Sequence, residues 1–116
     1  MSARILLPSA ARVASGNSGP LPAPGELDPN VERLYLLLAV TAAAGTLPTL
    51  DVSLEWSHDD GATFHAATPA DAFTQKVAVG SELLGPIDIK GDTYRLVWVI
   101  AGTAPSFTFT VTEDSR

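Results

Sequence analysis

Ala44-Gly45-Thr46-Leu47-Pro48-Thr49-Leu50 and Ala101-Gly102-Thr103-Ala104-Pro105-Ser106-Phe107 are two versions of one corner, set 57 residues apart. Each joins an apolar run, Leu34 to Val40 or Leu96 to Ile100, to a segment in which apolar and polar residues alternate. Gly45 and Gly102 supply backbone conformations closed to bulkier residues, while Pro48 and Pro105 fix φ and hold their predecessors extended. The two connections therefore share a geometry. The expectation is a pair of strand-turn-strand hairpins with approximate two-fold internal character, packed face to face.

The alternation is clearest in Leu50-Asp51-Val52-Ser53-Leu54-Glu55-Trp56, where a period of two sends the apolar residues to one face and the polar ones to the other. Phe107-Thr108-Phe109-Thr110-Val111-Thr112 behaves alike, with threonines facing outward. The two near-continuous apolar runs suit strands covered on both faces or placed between subunits. Leu and Ala at 34–44 also suit a helix, but the paired corners favour strand. Strands are expected at 32–42, 49–57, 63–66, 72–79, 83–89, 93–101 and 106–113. The fold class is thus all-β: a single antiparallel β-sandwich, jelly-roll or Ig-like, over 31–116. Residues 1–30 form an extended N-terminal arm or edge strand plus a Pro/Gly-rich loop, because Gly, Pro, Ser and Asn crowd 14–30.

The totals narrow the function. A chain of 116 residues builds one domain, and 46% hydrophobic with 17% charged residues is a folding composition. A net charge of −6 with scattered basic residues argues against a nucleic-acid partner. The absence of cysteine removes disulfides and Cys-based zinc sites. Leu34–Ala44, interrupted by Thr41, is about half the ~20 residues of a membrane span. The start shows no signal-peptide pattern, so a protein made in the cytoplasm is expected.

Ser57-His58-Asp59-Asp60-Gly61-Ala62-Thr63-Phe64 fits Ser-x-Asp-x-Gly-x-Thr-aromatic and resembles the Asp-box hairpin of sialidase-like propellers and of many unrelated β proteins. Its physics is local. Asp59 accepts hydrogen bonds across the turn, Gly61 takes the left-handed position, and Phe64 packs under the loop beside Trp56. One copy in a chain this short leaves no room for blades, so the box is read as structural and no glycosidase function is carried over. His58 and His65 lack the spacing of a metal site, and no metal or other cofactor is expected. Glu55 and Asp51 lie about 13 Å apart by strand rise, too far for a glycosidase pair, and no nucleophile elbow or phosphate loop is present. An enzyme is not expected. A candidate interface comprises Leu6 and Leu7 in the arm and Arg95, Val97 and Val99 on one face of their strand. Gly45, Pro48, Asp59, Gly61, Gly102 and Pro105 are the structural turn residues.

The chain also resembles a family of small tailed-phage virion proteins of β-sandwich type. The residues that carry the likeness are Ala11 to Ser18, Leu36 to Val52, Ser57 to Phe64, Tyr94 to Trp98 and Gly102 to Phe109, in that order. The Pro-rich stretch at 20–29 is a departure. The resemblance implies a capsid decoration protein on the virion surface, with the major capsid protein as partner and a homo-oligomer, trimer or dimer, as the working form. The arm at 1–30 would then add a strand to a neighbour. A tail or fibre carbohydrate-binding module using exposed Trp56 or Trp98, and a head–tail or tail structural protein, are the alternatives.

Overall fold

The computed structural model describes residues 2–23 and 33–115. It is all-β and antiparallel, and no helix forms among the described residues. The strands are β1 (Ser2–Arg12), β2 (Gly16–Asn17), β3 (Leu21–Pro22), β4 (Arg33–Ser57), β5 (His65–Ala66), β6 (Gly80–Asp88) and β7 (Thr93–Ser115). One hydrogen-bonded sheet contains them all, in the order β1-β7-β4-β5, with β2 and β3 also on β7 and β6 on β4.

The two corners do not close hairpins. Strands expected separately at 32–42 and 49–57 are one element, β4, and those at 93–101 and 106–113 are one element, β7. β4 and β7 pair along their whole length, Tyr35 opposite Asp114, Thr46 opposite Thr103 and Trp56 opposite Tyr94. Thr46 and Thr103 are themselves related by the 57-residue spacing, so a local two-fold axis passes between them. The symmetry is seen in the backbone: φ is 111° at Gly45 and 122° at Gly102, 49° at Leu47 and 48° at Ala104. A Cβ on Gly45 would lie 2.8 Å from the Ala104 carbonyl oxygen, and one on Gly102 would lie 2.9 Å from that of Leu47. Each glycine is required by the other strand's backbone. Pro48 and Pro105 lack an N–H, and the ladder slips between Thr46 and Thr49, so the corners bend the strands without reversing them.

The bend is large. A straight strand as long as β7 would reach about 75 Å, whereas the molecule's longest dimension is 44 Å. Tyr94 and Glu113, near opposite ends of β7, share a hydrogen bond. Trp98 meets Phe109 edge-on at 6.0 Å. Both halves of the sheet thus feed a single core, to which Leu34, Leu36, Leu38, Phe107, Phe109 and Val111 contribute from one half and Leu50, Val52, Leu54, Tyr94 and Leu96 from the other.

Residues 2–12 are not a free arm. They form the edge strand β1, laddered to β7 from Ser2–Ser115 to Arg12–Phe107, with bulges around Leu7 and Pro8. Leu6 and Leu7, expected at an interface, are buried in this chain's own core. Arg4 grips the buried carboxylate of Glu113 through two hydrogen bonds of 3.0 Å, and Tyr94 donates to the same group. Burial works against the Arg4 charge, but the bonds to Glu113 and Tyr94 outweigh it and raise the guanidinium's pKa. Burial, reinforced by the adjacent Glu113 carboxylate, pushes the Tyr94 phenol upward.

Residues 14–23 are also tied down, and part of the ladder is carried by side chains. The hydroxyls of Ser15 and Ser18 accept from the amides of Ile100 and Leu96 at 2.9 and 3.0 Å, and Trp98 Nε1 donates to the Ala14 carbonyl at 3.1 Å. A serine-rich stretch reads as loop because these bonds are invisible without the neighbour. Most of the expected Pro-rich departure, 24–29, lies outside the described residues. On the other flank, the strand expected at 72–79 is an irregular segment bonded to β4 through Leu50–Lys76 and Phe73–Val52.

Candidate interaction surface

The sheet has two outward surfaces, one per half, and they differ in chemistry. On the half bearing Trp56 and Tyr94, alternation does place Arg95, Val97 and Val99 outward together, opposite Glu55, Ser53 and Asp51. Arg95 is committed to Glu55 at 2.7 Å and lies over the Phe64 ring at 4.4 Å. Asp51 accepts from Gln75 at 2.9 Å. Of the three residues expected at an interface here, Val99 alone is strongly exposed. This is a surface laced with charges, comfortable in water.

The other half is different. Register aligns Ile5, Thr112, Leu37 and Leu83 in one row across β1, β7, β4 and β6. The next row along carries Thr110, Ala39 and Ser81. Ile5, Leu37 and Leu83 are 67%, 40% and 66% exposed. Charged groups stand at one end, where Arg33 pairs with Asp88 at 3.4 Å and Asp114 lies opposite Tyr35. The apolar run Leu34–Val40 already suits a strand placed between subunits; what sequence reasoning missed is that Ile5 and Leu83 join Leu37 in one row. In Leu34–Val40 the fold buries the even positions and leaves Tyr35, Leu37 and Ala39 at least partly open, so the run carries apolar residues this chain does not cover itself.

The Ser57–Phe64 turn is built as its motif implies. Asp59 accepts from the Thr63 amide at 2.9 Å and hydroxyl at 2.7 Å, and from the Ser57 hydroxyl at 2.7 Å. The Gly61 amide donates to Ser57 Oγ at 2.9 Å, with Asp60 and Gly61 at φ 58° and 91°. Phe64 does pack against the loop at Gly61, but its ring lies under Arg95 on the outer surface, whereas Trp56 is buried in the core with its ring tilted against Tyr94 at 5.4 Å. The bonds from Ser57 and then Thr63 hold the Asp59 carboxyl well below the usual carboxylate range. A depressed folded-state pKa makes the stabilisation fully present above the unfolded value, near 4, and lost as pH falls through the folded one. Asp59→Asn is therefore expected to melt a few degrees lower at pH 7, and the gap from the parent should narrow between about pH 4 and about pH 2. Thermal melts across that range check it; a gap independent of pH would show that the ionised carboxylate is not what holds the turn.

Beside the turn, Trp56, His58, His65, Ala66, Ala67, Thr68 and Lys90 line an open cleft of about 270 Å³. Three of its polar side chains are already engaged. Lys90 bonds Asp71 at 3.0 Å, Trp56 Nε1 donates to Asp71 at 2.9 Å, and His58 Nε2 lies 2.6 Å from the Lys90 carbonyl oxygen. Trp56 and Trp98 are 4% and 9% exposed, so neither is the open aromatic platform a sugar stacks on. Among the described residues no group of three or more His, Asp or Glu side chains is placed to hold a metal ion. No family model matches the chain, and no curated protein matches it.

Proposed function

We propose that this chain is a non-enzymatic structural protein of a phage virion, a capsid decoration protein that works as a homo-oligomer on the outer capsid surface. In this reading the domain is a β-sandwich whose two layers are the halves of one bent sheet. The observation that carries it is the contrast between the two outward surfaces: one holds Asp51, Glu55 and Arg95 in its middle rows, and the other presents Ile5, Leu37 and Leu83 in its middle among threonines and alanine, with its Arg33–Asp88 pair at one end. A chain of net charge −6 has carboxylates to spare for that face. Keeping its centre free of them suits burial against protein.

The remaining chemistry supports a structural role. Asp59 closes a turn, Glu113 ties β1 to the core, and Glu82 is held by Lys76 and Thr74. A symmetric decoration oligomer reinforces a shell by repeating modest contacts over many equivalent positions. With residues 2–12 built into the sheet, the capsid contact falls to the surface of the folded domain rather than to a loose arm.

The test is to add purified protein to capsids that lack it and image them by cryo-electron microscopy. Density repeated at symmetry positions over the shell is expected. Copies confined to the tail tip or the connector, or none bound, would overturn the decoration role. Specific binding on a glycan array, abolished by Lys90→Ala at the cleft, would favour the carbohydrate-binding alternative.

A further inference from the structure

We infer that the uncharged outer face of β1, β7, β4 and β6 is the contact between two copies of this chain, related by a two-fold axis near Leu37 and Thr112. The inference deepens the assembly reading above by naming the face and the occupant. Three observations lead to it.

Composition is the first. The central rows, Ile5-Thr112-Leu37-Leu83 and Thr110-Ala39-Ser81, contain no charged side chain, and Arg33, Asp88 and Asp114 stand at one end of that outer face. Two molecules each carrying −6 repel, so a self-docking surface must keep its carboxylates at the rim. The opposite outer surface carries Asp51, Glu55 and Arg95 in its middle rows, so the same arrangement there would take charged groups out of water.

Area is the second. Four strands spaced about 4.8 Å apart and covered for about seven residues, a span that takes in the two uncharged rows and the Tyr35–Asp114 row at the charged rim, present a flat area near 450 Å². Side-chain relief raises this to about 600 Å² per copy, or about 1,200 Å² in total, at the lower bound for a specific interface. The surface is large enough for a dimer that forms at moderate concentration.

Pattern is the third. Leu83 sits on the edge strand β6 and Ile5 on the edge strand β1, so apolar side chains extend to both margins of the face. Sheets stack face to face at about 10 Å when such side chains interdigitate. Because a two-fold contact is self-complementary, threonines of one copy then meet Leu37 and Ile5 of the other.

The test uses the purified full chain without any capsid, so its outcome is independent of capsid binding. Sedimentation equilibrium is expected to show a monomer–dimer equilibrium. Leu37→Glu should weaken dimerisation at least tenfold, and Leu83→Glu, at a more exposed edge position, should do the same. Val99→Glu on the opposite surface should leave the dimer unchanged, and circular dichroism should be the same for all three. Leu83→Glu keeps the proposal testable if Leu37→Glu does not fold. A chain that stays monomeric at high concentration, including one whose face is taken by another protein, overturns the proposal. So does a dimer indifferent to Leu83→Glu, or one broken by Val99→Glu.

Discussion

A chain lacking residues 1–12 is expected to lose cooperative folding. The truncation removes Leu6 and Leu7 from the core, where each side chain contributes about 1.5–3 kcal/mol. It also strips Arg4 from Glu113, whose side chain is only 2% exposed, and a buried carboxylate left without its cation costs about 3–5 kcal/mol. Together these losses reach roughly 6–11 kcal/mol, comparable with the ~5–15 kcal/mol that holds a domain folded. The newly bared edge of β7 would add an aggregation-prone ladder. Urea titration followed by tryptophan fluorescence checks this, since Trp98 lies in the core beside Arg12. A truncated chain unfolding sigmoidally at the parent's midpoint would mean that β1 is dispensable, and the free-arm picture would return.

Gly45→Ala and Gly102→Ala should each destabilise the fold by about 2–4 kcal/mol, and by similar amounts. Both positions combine positive φ with a carbonyl oxygen and a proline Cα of the opposing strand within 3 Å of the added carbon. Neither neighbour is a side chain that can swing away. Gly80 provides the control, for a Cβ there meets nothing within 4 Å and its φ is not left-handed, so Gly80→Ala should be almost silent. Because the glycines serve one crossing, the double variant should cost less than the sum of the singles once the first has opened the corner. Denaturant midpoints settle the matter. If either corner variant were as quiet as Gly80→Ala, the strands would not cross where Thr46 meets Thr103.

These two experiments probe features of unequal visibility in the chain. The corner motif, its repetition and the need for glycine are legible because turn chemistry is local: Gly-Thr-x-Pro restricts its own φ and ψ. What the corner connects is not local. An apolar run followed by an alternating one fits a hairpin, and it fits a strand that bends and continues, because period two is the same in both. Only the pairing partner tells them apart. Asp59 and its turn were readable for the same reason as the corners, since its bonds reach no further than Thr63. Phe64 was misplaced because which face of the sheet it reaches depends on Arg95, far along the chain.

The candidate surface divides in the same way. Arg95, Val97 and Val99 share a face by simple alternation, yet their fitness as an interface depends on Glu55 and Asp51 across the ladder. Leu6 and Leu7 look like an apolar arm until Val111 is seen beside them in the ladder.

By itself, the amino-acid sequence determined the all-β class, the outward and inward positions along 50–56 and 107–112, the geometry of the Ser57 turn and the existence of two equivalent corners. All of these follow from backbone preferences and side-chain period over a few residues. Tertiary structure alone decided that the corners pair with each other, that β1 belongs to the core, and that Ile5, Leu37 and Leu83 meet in one exposed row. Those outcomes depend on contacts between residues tens of positions apart, whose favourable burial outweighs the entropy of closing long loops only when the whole sheet forms together.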